Sequence, residues 1–600
     1  MKKKNIKYLF LVAALGATFT SCDDMFEPAI ENNLGLDYMY DHPSYAEGVL
    51  GNAYTRIPCG SFPFSEVGTD DAVTNNSDNN WRKAAAGAWT SNNNPTERWR
   101  DCRAAIMYIN LFLSNAKQVK WADDPIAAKM YCDREMGEAY GLRAMFMYYL
   151  LQAHGGYDEN GQLLGVPIVT TVEGAGVDYN IPRNTFKQCM DSIYRDCDRA
   201  LELLPVKYAD LGEDNSLVPE KYKSINATFQ QYNRVFGGKF NGRMDGAIVE
   251  AFRSKAALLA ASPAFSDQSG TNYEQAADYS AQVLDRINGV KGMDPKGWTW
   301  FSNTSIIEGL KDGSNEAEVL WRGEKASNND WETDNYPPSL YGKGRINPTQ
   351  NFVDAFPMAN GEPITENGSG YVATNPYAGR DPRLATYVLY NGGQAGVNNT
   401  VINTQADGTT RDALDAVQGS STRTGYYLKK LLRQDINLDP SVNSKQFHYT
   451  PRIRFTEIFL NYAEAANEAW GPKGAGTHGY SAYDVIKAIR SRAGVGTGDE
   501  GDKYLEKCAE SKELMRELIR NERRIELSFE GFRFWDLRRW KAPLNTEVQG
   551  MKITTDALGN TLYAPFKVEE PRSFKEFMYY GPIPYSECLK FSNLQQNKGW

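Results

Sequence analysis

Two polar loops of the sequence carry aromatic rings among amide and carboxylate side chains. They span residues 70–94 and 328–345. Flat rings beside amides suit a ligand built of hydroxyl-bearing rings, because the rings stack on apolar ring faces while amides and carboxylates pair with hydroxyls. The two loops therefore offer both kinds of group that a saccharide site needs. The candidate ligand-binding residues are Asn80, Trp81, Trp89, Trp331, Tyr336 and Tyr341.

Each of these aromatic residues has an alternative role as a packing residue of the core. Trp81 and Trp331 lie in strongly polar surroundings without helical periodicity, which favours contact with a ligand. For Trp89 the sequence supports packing and ligand contact equally. Trp298 and Trp300 alternate as in a short strand, so packing is favoured for both.

The sequence has no recognisable metal or catalytic motif. The four histidines are scattered, and the seven cysteines after Cys22 lack metal-binding spacing. The Asn and Asp cluster around Asp78 is a candidate structural calcium site, but it lacks the ordered spacing of a calcium loop. A glycoside hydrolase needs only two carboxylates about 5–9 Å apart, and such a pair leaves no mark in a sequence. We predict no cofactor and no bound metal.

The first 21 residues have the pattern of an export signal. Four lysines precede an apolar stretch, Tyr8 to Thr20, that is too short for a lasting membrane span. Cys22 follows Ser21 and is the predicted lipidation site, although Phe19 stands where such sites usually have leucine. Residues 22–43 are predicted to form a lipidated tether. Lipid on Cys22 would then be the membrane attachment.

The mature chain is predicted to be acidic. Residues 1–21 contain four lysines and no acidic residue, so their removal changes the formal net charge from −9 to −13. A negative surface of this kind disfavours nucleic acids and anionic lipids as partners and leaves neutral ligands open.

Helical signals occur in consecutive pairs. The predicted pairs are 130–152 with 186–204, 248–261 with 273–287, and 455–470 with 482–493. Small residues at contact positions and aromatic residues that open the partner helix resemble tetratricopeptide helix pairs, although the spacing between pairs is irregular.

The segment 513–540 combines a helix pattern with a cluster of arginines and aromatic residues. Apolar positions from Leu514 to Phe529 recur at helical spacing, and Gly531 is predicted to end the helix. The following residues are too apolar to be exposed to solvent and too charged to be buried in an apolar core without partners. We predict that this segment is docked, with guanidinium groups stacked on rings and paired with carboxylates.

Several motifs, in this order along the chain, resemble the SusD/RagB family of surface nutrient-binding lipoproteins. They are GEAYGLRAMFMYYLLQAHGGY (137–157), GVPIV (165–169), PTQNFVDAFPMANGEPI (348–364), RDPRL (380–384), EIFLNYAEAANEA (457–469), YDVIKAIRSRAGV (483–495) and RNERRIELSFEGFRFWDLRRW (520–540). The resemblance extends over nearly the whole chain.

The resemblance implies a mainly α fold. Residues 44–600 would form one SusD-like domain with a tetratricopeptide-like scaffold and ligand-binding loop insertions at about 60–96, 291–346 and 366–445.

The resemblance also implies a function. A non-catalytic lipoprotein on the outer face of the outer membrane would capture a glycan and deliver it to a SusC-like TonB-dependent transporter. Two alternatives stay open, which are an oligopeptide-binding protein of the RagB type and a surface glycoside hydrolase.

Overall fold

The computed structural model describes residues 35, 37–58, 64–172 and 176–600. The signal peptide, Cys22 and most of the predicted tether lie outside these residues. The predictions made for them therefore stay predictions.

The described residues are mainly α-helical, as predicted, and none of their helices is both long and apolar enough to cross a membrane. The helices are α1 (Tyr38–Asp41), α2 (Pro43–Tyr54), α3 (Asn80–Lys83), α4 (Trp99–Asn115), α5 (Pro125–His154), α6 (Phe186–Leu203), α7 (Glu220–Lys223), α8 (Phe229–Phe236), α9 (Gly246–Ala261), α10 (Tyr273–Asp285), α11 (Thr304–Gly309), α12 (Asp330–Asn335), α13 (Gln350–Ala355), α14 (Pro382–Tyr387), α15 (Phe455–Trp470), α16 (Ala482–Arg492), α17 (Lys503–Cys508), α18 (Lys512–Glu526), α19 (Arg533–Arg539) and α20 (Tyr585–Lys590).

The strands are short and pair two by two, always antiparallel, in the order β1 with β6, β2 with β3, β4 with β12, β5 with β11, β7 with β10, β8 with β9 and β13 with β14. The strands are β1 (Ala72–Thr74), β2 (Gly156–Tyr157), β3 (Leu163–Leu164), β4 (Val319–Arg322), β5 (Ala326–Asn328), β6 (Ile346–Pro348), β7 (Val388–Leu389), β8 (Gln394–Ala395), β9 (Thr400–Val401), β10 (Tyr427–Leu428), β11 (Gln446–His448), β12 (Pro451–Arg454), β13 (Gln549–Thr555) and β14 (Thr561–Lys567).

The three predicted helix pairs pack as pairs and form a continuous helical scaffold. α5 packs on α6, α9 on α10 and α15 on α16, and α10 also contacts α15. Side chains at the helix starts fix the boundaries, as where Thr185 and Gln188 form a capping box at α6. Glycines allow close approach, since a Cβ atom at Gly137 would lie 2.7 Å from Leu204 Cγ.

The loop-rich segments surround a second apolar core. Its buried members include Trp300, Phe352, Tyr387 and Phe529. Trp298 and Trp300 belong to this region in a 3-10 turn at Gly297–Ser302, so the expectation of a short strand was wrong. Trp300 is nevertheless buried, as the packing interpretation required.

The C-terminal segment is docked as predicted, but its helix ends earlier than expected. α18 ends at Glu526, and Phe529 adopts a left-handed conformation with φ 61°. This turn places the buried Phe529 ring 5.2 Å from Phe352, so burial of the ring in the second core accounts for the early helix end. In α19 the Arg538 guanidinium stacks 3.4 Å from the centre of the Phe534 ring.

Two carboxylates of α18 join the helical scaffold to the loop-rich part. Buried Arg383 donates to Glu522 at 2.9 Å and to Glu526 at 3.0 Å. Arg490 of α16 donates to the other oxygen of Glu522 at 2.7 Å, and Arg492 donates to Glu526 at 3.2 Å. Burial by itself would raise the pKa of Glu526, but the surrounding arginines outweigh burial and lower it.

The variant Glu522→Ala should lose about 3–5 kcal/mol of unfolding free energy, because two buried guanidinium groups each lose a carboxylate partner. The matched control is Glu517→Ala in the same helix. Glu517 is 70% exposed and pairs with Arg520, so this variant should change stability by less than about 1 kcal/mol. Urea unfolding of both variants measures the difference. Equal losses would contradict a supporting role for the buried pairs.

A buried glutamate binds the loop that follows α18. Glu66 Oε1 accepts a hydrogen bond from the Gly531 amide at 2.9 Å, and Glu66 Oε2 has no hydrogen-bond partner among the described residues. Burial raises the pKa of Glu66 to about 7. The protonated carboxyl is therefore the form that fits this site.

We expect Glu66→Gln to gain stability relative to the wild type as pH rises from 5 to 8. A folded-state pKa above the unfolded value stabilises at low pH, and this contribution is lost as pH rises through about 7. The relative gain should approach about 3 kcal/mol, and Gln retains an acceptor for Gly531. Denaturant unfolding at pH 5 and pH 8 tests this, and a pH-independent difference would rule it out.

Candidate functional site

The pairing of β1 with β6 brings the two sequence-predicted loops together. Thr74 pairs with Ile346, and beyond this pair the Asn75 side-chain amide donates to the carbonyl oxygens of Lys343 and Gly344 at 3.0 and 2.8 Å. The end of the first loop's strand therefore touches the end of the second loop. We call the surface formed by residues 75–83 and 329–345 the loop face.

Tyr341 is the most exposed predicted aromatic residue of the loop face. The residue is 54% exposed, and its backbone is left-handed with φ 64° after a turn that begins at Pro337 and Pro338. The Tyr341 hydroxyl donates to Asp439 Oδ2 at 3.2 Å, and this hydrogen bond raises the pKa of the phenol. The ring is thus held by one polar contact while its face stays open to solvent.

Trp331 lies half-buried in the short helix α12. Its ring meets the His448 ring edge to face, with the centres 4.9 Å apart. His448 Nε2 lies 3.0 Å from Glu332 Oε1, and the same carboxylate oxygen accepts from the Arg433 amide at 2.8 Å. These contacts fix the Trp331 ring and leave part of it accessible.

Asn80 and Trp81 begin the short helix α3. The Asn79 side chain caps this helix by accepting from the Arg82 amide at 3.0 Å. Asn80 is exposed, whereas Trp81 is half-buried and meets the Phe534 ring edge to face at 4.8 Å. Trp81 therefore joins the loop face to the docked C-terminal segment.

An ion pair anchors α3 to the loop-rich part. Arg82 Nε donates to the buried Glu570 carboxylate at 2.9 Å, and Arg423 donates to the other oxygen of Glu570 at 2.5 Å. Arg423 also donates to the Thr74 carbonyl at 3.1 Å. Arg423 and Glu570 therefore help to fix the loop face. The sequence analysis did not single them out, because they lie far from the two loops in the sequence.

Trp89 and Tyr336 are buried, with 3% and 2% of their surface exposed. Trp89 packs on Phe574 and Trp600, and its ring nitrogen donates to Asn94 at 2.9 Å. The Tyr336 hydroxyl donates to the Arg433 carbonyl at 2.5 Å. Their positions match the packing role. Ligand contact by the other four predicted residues stays a prediction.

The described residues contain no group of three or more His, Cys, Asp or Glu side chains arranged to hold a metal ion. Asp78, the centre of the candidate calcium cluster, is 89% exposed and lies 3.3 Å from Lys83 Nζ. A separate carboxylate pair, Asp70 and Asp71, precedes the loop face. Arg524 donates to both carboxylates, and Arg533 donates to Asp70.

Comparison with known proteins agrees with the resemblance found in the sequence. A family model described as "SusD family" matches residues 310–600, and one described as "Starch-binding associating with outer membrane" matches residues 47–216. Together they span about three quarters of the chain. SusD-like protein P2 of Formosa agariphila is 31% identical over 151 residues, which is 25% of each protein.

Solved structures share the fold. A SusD-like protein from Bacteroides fragilis aligns with a TM-score of 0.69 and 22% identity, covering 94% of this chain and 98% of that protein. A SusD-like carbohydrate binding protein from the same species aligns with a TM-score of 0.67 and 20% identity, covering 93% of this chain and 100% of that protein. At these identities the likeness concerns the fold.

Proposed function

This chain belongs to the SusD family, and we propose that it binds an oligosaccharide or polysaccharide on the loop face and releases it unchanged. The observation that carries the proposal is the β1–β6 pairing, which places the two loops side by side. The name of the carbohydrate-binding structural neighbour and the starch-binding description of one matching model support the choice of ligand.

The mechanism we propose is stacking supported by hydrogen bonding. The exposed ring of Tyr341 and the accessible part of Trp331 offer apolar faces to sugar rings, and exposed Asn80 offers an amide to hydroxyl groups. Because ion pairs and caps already fix these residues, little conformational entropy is lost on binding. No covalent step is part of this proposal.

We also propose that the protein acts at the cell surface, as a lipoprotein held to the outer membrane through Cys22. The outer-membrane description of the model that matches 47–216 and the Ser21-Cys22 sequence after an export signal support this location. From there the protein would pass its ligand to a SusC-like TonB-dependent transporter, as the family resemblance implies.

Tyr341→Ala and Trp331→Ala should each weaken saccharide binding by about 1–3 kcal/mol if the rings stack on sugar. The melting temperature of Tyr341→Ala should stay unchanged, because the ring fills no core space. The matched control is Tyr38→Ala, which removes an exposed ring on the helical scaffold. Calorimetric titration with a glycan panel, followed by thermal unfolding, measures both properties.

Three results would redirect this proposal. Unchanged affinity in both loop variants would remove the loop face as the site. Binding of oligopeptides alone would establish the RagB-type alternative, and new reducing ends in the glycan samples would establish the hydrolase alternative.

Cys22→Ala should release the protein from membranes, because the lipid-bearing side chain would be absent. Fractionation of cells that express the variant, beside a Ser21→Ala control, measures the membrane-bound share. Full membrane retention of Cys22→Ala would contradict the lipid anchor.

A further inference from the structure

A cleft of about 450 Å³ lies between the helical scaffold and the docked C-terminal segment. Side chains of α4, α5, α9, β12 and α19 contribute to its walls. Its volume falls within the range of about 300–1,000 Å³ that is typical of small-molecule sites. None of the predicted loop-face residues lines it.

The floor of the cleft consists of ion pairs whose charges are balanced. Lys255 Nζ lies 2.7 Å from Glu457, and Arg454 Nε lies 2.8 Å from Glu530. Arg523 Nε lies 2.8 Å from Asp536, which also accepts from Arg539, and Arg539 pairs in addition with Glu464. These cations are occupied by carboxylates of the protein and have little attraction left for a ligand.

Three further arginines in the walls have no such partner in the part of the chain that the structure describes. Among the described residues, no carboxylate lies within ion-pair distance of Arg56, Arg98 or Arg452. Arg56 donates to the Asn52 carbonyl, and Arg98 lies over the Tyr149 ring at 5.8 Å. Arg452 lies over the Trp321 ring at 4.4 Å, and its Nε is buried without a hydrogen-bond partner.

Unpaired arginines in a cleft stand out in a chain with a formal net charge of −9. Two exposed acidic residues also line the cleft: Glu97 accepts from the Arg100 backbone amide, and Asp101 accepts from the Arg100 guanidinium. A guanidinium group binds carboxylate and sulfate groups through parallel hydrogen bonds, and a partly enclosed cleft strengthens the attraction.

Aromatic side chains lie beside these arginines. Tyr149, Phe532 and Trp535 line the same cleft, and the last two are only half-buried. Rings next to unpaired guanidinium groups suit a ligand that has both a ring with apolar faces and an anionic substituent. An acidic sugar residue combines these two features, whereas a neutral sugar would leave the arginines unpaired.

We propose that this cleft binds the carboxylate- or sulfate-bearing residue of an acidic saccharide, with Arg98 and Arg452 as its anion-binding groups. This inference rests on the proposed saccharide-binding function and specifies its ligand class. The loop face would then hold neutral parts of the same chain or a separate ligand.

The test compares three groups of polysaccharide in affinity gel electrophoresis and calorimetry. These are carboxylated polymers such as homogalacturonan, alginate and glucuronoxylan, sulfated galactans, and neutral polymers of related backbone. The wild-type protein should bind at least one acidic polymer, and added salt should weaken that binding more than binding to a neutral polymer. Separate carboxylated and sulfated arms show which anion is recognised.

Arg98→Gln and Arg452→Gln should each reduce affinity for the acidic polymer at least about ten-fold, because each removes a charge-assisted hydrogen bond. Neither should change affinity for a neutral polymer. Arg234→Gln is the matched control, since Arg234 is exposed on α8 outside the cleft. Circular dichroism and thermal unfolding confirm that the variants are folded.

The outcomes separate this inference from the proposed function. Binding of neutral polymers alone, or equal losses for neutral and acidic polymers in the arginine variants, would overturn the inference and leave the proposed function standing. Binding of acidic peptides in place of acidic saccharides would overturn it as well. Failure to bind any saccharide would overturn both.

Discussion

The ion pairs of Glu522 and Glu526 hold the two halves of this protein in one arrangement. Both carboxylates lie on α18, and they accept from Arg383 in the loop-rich part and from Arg490 and Arg492 in the scaffold. Buried ion pairs add little net stability over apolar packing, but removal of one partner is costly. Their main physical effect here is to require one relative position of α14, α16 and α18.

A second set of ion pairs connects α18 and α19 to the segment that leads into the loop face. Asp70 and Asp71 pair with Arg524 of α18 and Arg533 of α19. Burial by itself would raise the pKa of Asp70, but the two arginines outweigh burial and lower it. The backbone of Asp71 also accepts from the Thr349 amide at 3.0 Å, next to β6. The strands that bring the two segments of the loop face together are therefore fixed by the docked C-terminal segment.

The sequence predicts the scaffold better than the loop face, because only the scaffold has a periodic pattern of apolar residues. Helix α15 begins and ends where its pattern predicts, at Phe455 and Trp470. The β1–β6 pair is three residues long and joins segments about 270 residues apart, so no local pattern announces it. Trp89 lies in polar sequence yet is buried, because Asn94 satisfies its ring nitrogen. Polar neighbours in the sequence do not show whether a ring faces a ligand or the core.

The arginines are a second case in which the sequence does not predict the contacts of a side chain. Their number can be read from the sequence, but their carboxylate partners cannot. Arg454 and Arg452 are two residues apart on β12, and regular alternation would place their side chains on the same face, but the register with β4 shifts between Pro451 and Ile453 and again between Ile453 and Arg454. Arg454 is buried between Glu318 and Glu530, whereas Arg452 lies over the ring of Trp321 and has no carboxylate partner in the described part of the chain. The irregular strand thus gives Arg454 carboxylate partners and leaves Arg452 without one among the described residues. In the cleft, one set of cations is neutralised by carboxylates of the protein, and the arginines of the walls have no such partner among the described residues. Such a cleft can select an anionic ligand without weakening the ion pairs that maintain the fold.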